Sequence, residues 1–406
     1  MLALEPFWTT TDGETVKLYL GDVISVLKQL PEKSVQCVVT SPPYWGLRSY
    51  LDSDHDDKHY EIGTEETPEE YVTKMTDVFR EVRRVLRDDG TVWLNLGDSY
   101  CGGGPGGVSY VQDGVKRQDR SQLRVNVKSG LPPGNLVGVP WRVALALRAD
   151  GWVLRQDIIW HKPSPMPESV TNRCTKAHEY VFLLTKSQRY FYDAESIKEK
   201  TIAPGVRVAT PYTQGSVGST STTAYNDNAN DLRNKRSVWT IPSFGYSGAH
   251  FATFPPKLIE PMVLAGTSQY GCCAVCLAPW KRVMETKQLT RERPNDYVKR
   301  TGEGGTGNSC SNSIAGVETK TVGWEPACQC DTDDVVPCTV LDPFVGSGTT
   351  CCVAVSNGRH SIGIDLSEKY LKENAIPRIE GEILRVPARR NLVQRSTKTI
   401  EIKEGF

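Results

Sequence analysis

Continuous apolar runs alternate with amphipathic stretches along most of this chain. Val16 to Leu20, closing on Gly21-Asp22, reads as a strand end, and Ile24, Leu27 and Leu30 follow at helical spacing. Val35 to Val39 is an apolar run interrupted by Gln36 alone, the pattern of a strand buried on both faces. Thr67-Pro68-Glu69-Glu70 joins a capping hydroxyl, a proline suited to the first helical position and two acids that complement the helix dipole. The helix it opens carries Tyr71, Met75, Val78, Phe79, Val82, Val85 and Leu86 on one face and is expected to stop at Asp89-Gly90. Thr91 to Leu96 predicts a second buried strand, a helix follows near 139–149, and Val153 to Trp160 and Glu179 to Thr185 read as strands. Beyond them the pattern gives a helix over Pro256 to Leu264, a strand over Thr339 to Leu341, a helix over 349–357 and a strand from Ser361 to Ile364 that ends at Asp365. This alternation predicts an α/β fold, a mostly parallel sheet with helices on both faces.

Four polar stretches interrupt the pattern. Residues 52–66 are acidic and loop-like. Residues 101–134 are glycine-rich and hold Lys116, Arg117, Arg120, Arg124 and Lys128. Residues 200–236, rich in Ser, Thr, Asn and Gly, are expected to be mobile and end on Arg233, Lys235 and Arg236, and 270–335 is a cysteine-bearing insert. At 406 residues the chain holds one large domain with insertions, or two. Lys+Arg 48 balances Asp+Glu 48, so bulk charge does not point to nucleic acid and only local patches could serve it. No apolar run reaches the ~20 residues of a membrane-spanning helix, and the first residues lack a basic-then-apolar signal, so a cytoplasmic protein is expected.

Two segments carry candidate chemistry. The strand at Thr339 to Leu341 runs into Asp342-Pro343-Phe344-Val345-Gly346-Ser347-Gly348-Thr349-Thr350. No lysine follows the glycines, which excludes a phosphate-gripping P-loop, and the spacing departs from G-x-G-x-x-G. Gly346 and Gly348 instead permit close backbone approach to a ligand without phosphates. Asp342 could engage such a ligand's amino group, and Asp365 could accept from ribose hydroxyls. The other segment, Thr40-Ser41-Pro42-Pro43-Tyr44, follows Val35 to Val39 and so falls at a strand's carboxyl end, where open α/β sheets place ligands. In isolation Ser-Pro-Pro-Tyr would be an ordinary turn. A third cluster pairs Cys273-x-x-Cys276 with Cys328-x-Cys330, a donor set for tetrahedral zinc, with Cys272 a substitute, Cys310 a competitor and free thiols the alternative.

Together the two motifs resemble those of DNA amino-methyltransferases that use S-adenosyl-L-methionine. The catalytic motif comes first and the cofactor motif last, as in the circularly permuted beta class. The likeness covers residues 16–50, 67–98, 136–193 and 245–372. It implies a seven-stranded Rossmann-like sheet with polar recognition inserts and a small zinc-ribbon-like insert. It also implies cofactor contacts from Asp22, Phe251, Asp342, Pro343, Phe344, Gly346, Ser347, Gly348, Thr349 and Asp365, although Asp22 serves equally well as a helix N-cap. The lone pair of an exocyclic base nitrogen is delocalised into the ring, so a catalyst must draw it back by accepting the amino protons. Ser41 Oγ and the Pro42 carbonyl can accept them, Pro42 and Pro43 stiffen the loop, and Tyr44 offers a face to a base drawn out of the duplex. Serine at the first position is commoner for cytosine N4 than for adenine N6. Methylation at cytosine C5 needs a Pro-Cys nucleophile, and Pro337-Cys338 lies in the wrong place for it.

Under this resemblance residues 1–100 form the catalytic half, 136–193 the remaining strands, 245–269 a cofactor-side helix and 336–406 the cofactor half. Duplex DNA would meet the basic residues of 101–135 and 194–244, and a homodimer and a cognate restriction nuclease are compatible partners. Trp160-His161-Lys162-Pro163 and Lys176 to Phe182 also resemble family segments, with no role beyond substrate positioning. The competing readings are the same chemistry on protein or RNA, and a non-catalytic zinc-bearing DNA-binding protein on the same fold.

Overall fold

A computed structural model describes residues 4–47, 49, 51, 54–101, 129–200, 232–243, 254–290 and 314–385, with backbone alone at 288–290 and 314–318. The chain divides into two compact units. One comprises Met1–Ser196, Arg236–Trp280 and Pro326–Phe406, the other Ile197–Lys235 and Lys281–Glu325.

The first unit is built on one mixed sheet. Its strands are β1 (Trp8–Thr9), β2 (Val16–Leu20), β3 (Val35–Thr40), β4 (Leu86–Leu96), β5 (Val153–His161), β6 (His178–Thr185), β7 (Val238–Thr240), β8 (Thr339–Asp342) and β9 (His360–Asp365), in the spatial order β1-β2-β9-β8-β3-β4-β6-β5-β7. From β2 to β4 every pairing is parallel, while β6 runs antiparallel to both β4 and β5. The seven expected strands are all present, flanked by the short edge strands β1 and β7. Helices α1 (Val23–Gln29), α2 (Pro68–Val85) and α3 (Val139–Ala149) pack on one another and share a core with the sheet. Helices α4 (Pro256–Gly266) and α5 (Thr349–Ser356) pack together against the sheet.

Local sequence explains the best-defined element. Thr67 Oγ1 accepts from Glu70 N–H while the Glu70 carboxylate accepts from Thr67 N–H, a reciprocal capping box that secures the start of α2 and contributes about 1 kcal/mol. The helix ends earlier than its apolar pattern implies. Leu86 turns extended, at φ −70° and ψ 139°, and pairs with Val35, so Leu86 to Gly90 join β4 rather than α2. Sheet pairing beside a buried leucine outweighs one more helical turn.

The second unit contains a long antiparallel hairpin, Lys281–Thr290 with Ile314–Glu325, and the small pair Glu199–Lys200 with Leu232–Arg233. The cysteine-bearing insert is thus divided: its hairpin belongs to the second unit, and its four paired cysteines to the first.

Candidate active site and cysteine cluster

Because β3 and β8 are parallel neighbours, with Leu341 beside Val38, the two motif loops leave the sheet side by side at strand carboxyl ends. Between them lies a cavity of about 160 Å³. Ser41 and Pro43 form part of its wall. Pro343, Phe344, Gly346, Ser347 and Thr349 come from the glycine turn, Asp365 from the end of β9, Asp22 from the turn after β2, and Phe254 from the segment before α4. Leu51, Tyr60, Glu61 and Ile62, from the acidic loop, complete it.

Asp365 organises the turn. Gly346 N–H donates to its Oδ2 at 3.0 Å and Ser367 N–H to its Oδ1 at 2.8 Å. Burial pushes this carboxyl up to about 6, against those backbone bonds. Arg378, from the helical segment 368–385, braces the turn by donating to Ser347 O at 2.8 Å and Thr349 Oγ1 at 3.0 Å. Asp22 caps α1, accepting from Ser25 N–H at 2.8 Å, and still borders the cavity.

Two residues expected at the ligand do not reach the cavity wall. Asp342 is fully buried and accepts from Thr40 Oγ1 at 2.7 Å, Thr350 Oγ1 at 2.6 Å and Phe344 N–H at 3.1 Å, which ties the end of β3 to the glycine turn. Burial pushes its carboxyl up to about 6, although Thr350, Thr40 and Phe344 N–H oppose the rise. Gly348, at φ +76°, faces the C-terminal helical segment, where an added Cβ would stand 3.2 Å from Ala375 Cα. Packing and a left-handed backbone require that glycine, rather than ligand approach.

In the catalytic loop the Pro43 carbonyl accepts from Tyr71 Oη at 2.9 Å, whereas the Pro42 carbonyl has no hydrogen-bond partner among the described residues. Tyr44 is half-buried and fixed. Its Oη donates to Glu179 Oε2 at 2.7 Å and stands 3.2 Å from Asn95 Oδ1 and 3.4 Å from Ser41 Oγ. The ring lies against Gly97, where a Cβ would sit 2.5 Å from Tyr44 Cε2. Burial and the Glu179 charge push the phenol well above its ordinary value. Sequence reasoning gave the segments holding Lys162 and Glu179 no role beyond substrate positioning and passed over Asn95. The available signal was a glutamate inside the otherwise apolar strand Glu179 to Thr185.

The four cysteine sulfurs of Cys273, Cys276, Cys328 and Cys330 all lie within 4.8 Å of one another. Sulfurs around one zinc at about 2.3 Å would stand about 3.8 Å apart, so the set fits the ion. Backbone N–H groups of Cys276 and Val275 lower the Cys273 thiol to about 7, toward the thiolate a metal needs. Cys272 points elsewhere, donating to Val336 O at 3.4 Å, and Cys310 lies outside the described residues. Phe251 and the basic residues Lys116, Arg117, Arg120, Arg124 and Lys128 also fall outside them. Arg233 is paired with Glu199 at 3.0 Å, while Lys235 is half-buried and Arg236 exposed.

Comparison with known proteins adds identity to this geometry. A family model described as DNA methylase matches residues 35–273 and 338–376, omitting the hairpin and Cys276, Cys328 and Cys330. The type II methyltransferase M.Cfr9I of Citrobacter freundii is 35% identical over 376 residues, 91% of each chain. M.SmaI of Serratia marcescens, another type II methyltransferase, is 36% identical over 355 residues, 87% of each. Among solved structures the PvuII DNA methyltransferase, described as cytosine-N4-specific, covers 94% of this chain and 95% of its own with a TM-score of 0.50 at 16% identity, a likeness of fold. Among the described residues no helix is long and apolar enough to cross a membrane. The chain belongs to the N6/N4 DNA methylase family, and it is a DNA methyltransferase.

Proposed function

We propose that this protein methylates cytosine N4 at a specific sequence in duplex DNA, acting on a base drawn out of the helix into the loop that carries Ser41. The observation that carries the reading is Ser41 on the wall of a cavity that Gly346 and Asp365 also line, next in the chain to Pro42, whose carbonyl has no hydrogen-bond partner among the described residues. When bound there, S-adenosyl-L-methionine supplies an electrophilic methyl group. Asp365 would hold ribose hydroxyls, and Phe344 and Phe254 would flank the adenine. Ser41 and Pro42 would accept the two amino protons and so localise the nitrogen lone pair on the methyl. Most of the rate gain then comes from positioning and fixed dipoles. Serine at the head of the motif favours cytosine N4, and it agrees with the description of the PvuII enzyme. The type II relatives favour a restriction nuclease as functional partner. Cys273, Cys276, Cys328 and Cys330 would hold a structural zinc ion.

The test is transfer from labelled S-adenosyl-L-methionine to unmodified duplex DNA, followed by digestion and separation of nucleosides. Label in N4-methylcytosine is the expected result. Label in N6-methyladenine would keep the mechanism and overturn the base assignment, and absence of label from DNA would overturn the substrate.

A further inference from the structure

Among the described residues Glu179 is the carboxylate hydrogen-bonded to the phenol of Tyr44, and its surroundings fix the sense of the hydrogen bonds there. Its side chain is 15% exposed and lies at the start of β6. Oε1 pairs with Lys162 Nζ, and that ammonium also sits 4.3 Å from the centre of the Trp160 ring. Oε2 accepts from Tyr44 Oη at 2.7 Å and Asn95 Nδ2 at 3.2 Å. The same Asn95 Nδ2 donates to Tyr180 O at 3.1 Å, so the amide oxygen is the atom turned to Tyr44. Both of those neighbours of Tyr44 Oη are therefore acceptors, and the phenol proton is committed to them. Ser41 Oγ, 3.4 Å away, can then only donate to Tyr44 Oη.

We propose that Glu179 is a positioning residue that sets the direction of this chain, so that Ser41 Oγ turns its lone pairs, and not its proton, toward the substrate's amino group. The inference rests on the methyltransferase reading of the site. A serine hydroxyl free to rotate would have to reorient as the amino group arrives, whereas a fixed one removes that step. Lys162, from the end of β5, keeps the carboxylate ionised. The other titratable groups facing Glu179 are Lys176 from the segment leading into β6, His178 at the start of β6, and Tyr44 from the Ser-Pro-Pro-Tyr loop. Burial alone would raise the Glu179 carboxyl, but the Lys162 charge and the donated bonds outweigh it and hold it below the usual range.

The first measurement needs no DNA. In the full chain labelled with ¹³C at glutamate carboxyls, the Glu179 signal is assigned by its loss in Glu179→Gln. Its titration midpoint should move up in Lys162→Met and in Tyr44→Phe, each of which removes a group that stabilises the anion. A midpoint unmoved in both overturns the proposal. In single-turnover transfer to duplex DNA, Glu179→Gln should slow the rate on the order of 100-fold with cofactor affinity unchanged. Lys162→Met should shift the acid limb of the rate profile to higher pH, which loss of folding alone would not do. A full rate in Glu179→Gln, or an acid limb that stays in place, also overturns it. A wild type that transfers no methyl to DNA while the midpoint still moves sinks the methyltransferase reading and leaves the hydrogen-bond chain standing.

Discussion

The two ends of the central sheet are built to opposite rules. At the carboxyl ends of β3, β8 and β9 the chain borders a cavity lined by Ser41, Gly346 and Asp365, and the Pro42 carbonyl has no hydrogen-bond partner among the described residues. At the amino ends nearly everything is bonded inward. Gln36 Nε2 donates to Leu277 O at 3.1 Å while its Oε1 accepts from Thr339 N–H at 2.7 Å, and Arg87 donates to Cys276 O. Cys272–Cys273 pairs with Val335–Val336 just before β8, so the four-cysteine knuckle clasps the root of the strand whose tip forms the cofactor turn. One strand thus has the cysteine cluster at its root and the glycine turn at its tip. The difference teaches that the two sets of residues should separate cleanly in experiment, one reporting on rate and the other on stability.

The largest effect should come from the catalytic end. Ser41→Ala removes one acceptor from the substrate amine and should lower single-turnover methyl transfer by about 10²–10³-fold, with cofactor affinity and unfolding midpoint unchanged. A matching loss of stability would break the division of labour. At the opposite end, Cys276→Ser or exhaustive chelation should lower the unfolding midpoint by about 5–10 °C, measured with metal content on the same samples. The rate per folded molecule should hold, and a rate loss without a stability loss would contradict the structural role.

Asp342 sits between the two ends and offers a pH test. Its buried carboxyl is held up to about 6 from an ordinary 3.8, so the native state keeps a proton that the unfolded chain releases. Its contribution to stability is complete below about pH 4, is lost as pH rises through about 6, and is flat beyond. Wild type should therefore lose ground against Asp342→Asn between pH 4 and 6 in calorimetric midpoints, with a constant gap above. Asp365 titrates in the same window and its charge adds to the rise at Asp342, so the difference reads the two carboxyls as a pair. The smallest effect is expected from Asp22→Ala, which should cost about 1 kcal/mol through loss of the α1 cap, read in denaturant unfolding.

Elements carried by contiguous sequence were the legible ones. Val35 to Val39 and Thr339 to Leu341 announce buried strands because burial on both faces demands a largely apolar run, and Thr67 to Glu70 writes out its own cap. The end of α2 was not legible, since Leu86 fits either the helix face or β4, and only the distant Val35 decides. The same limit hid the fixing of Tyr44. Its partners Asn95, Lys162 and Glu179 lie on three separate segments, and no spacing rule brings them together. Asp342 was legible as a motif residue, but its work is internal, and only the buried threonines Thr40 and Thr350 reveal that. The cysteines could be paired from spacing, whereas their place at the root of β8 depends on the hairpin between them belonging to another unit.

The most direct test of the account compares wild type and Ser41→Ala in single-turnover transfer of labelled methyl to duplex DNA, with the products resolved as nucleosides. The account predicts label on cytosine N4 with wild type and its near-complete loss with Ser41→Ala, while both proteins bind S-adenosyl-L-methionine equally. Undiminished transfer by Ser41→Ala, or label anywhere other than an exocyclic amine, would contradict it.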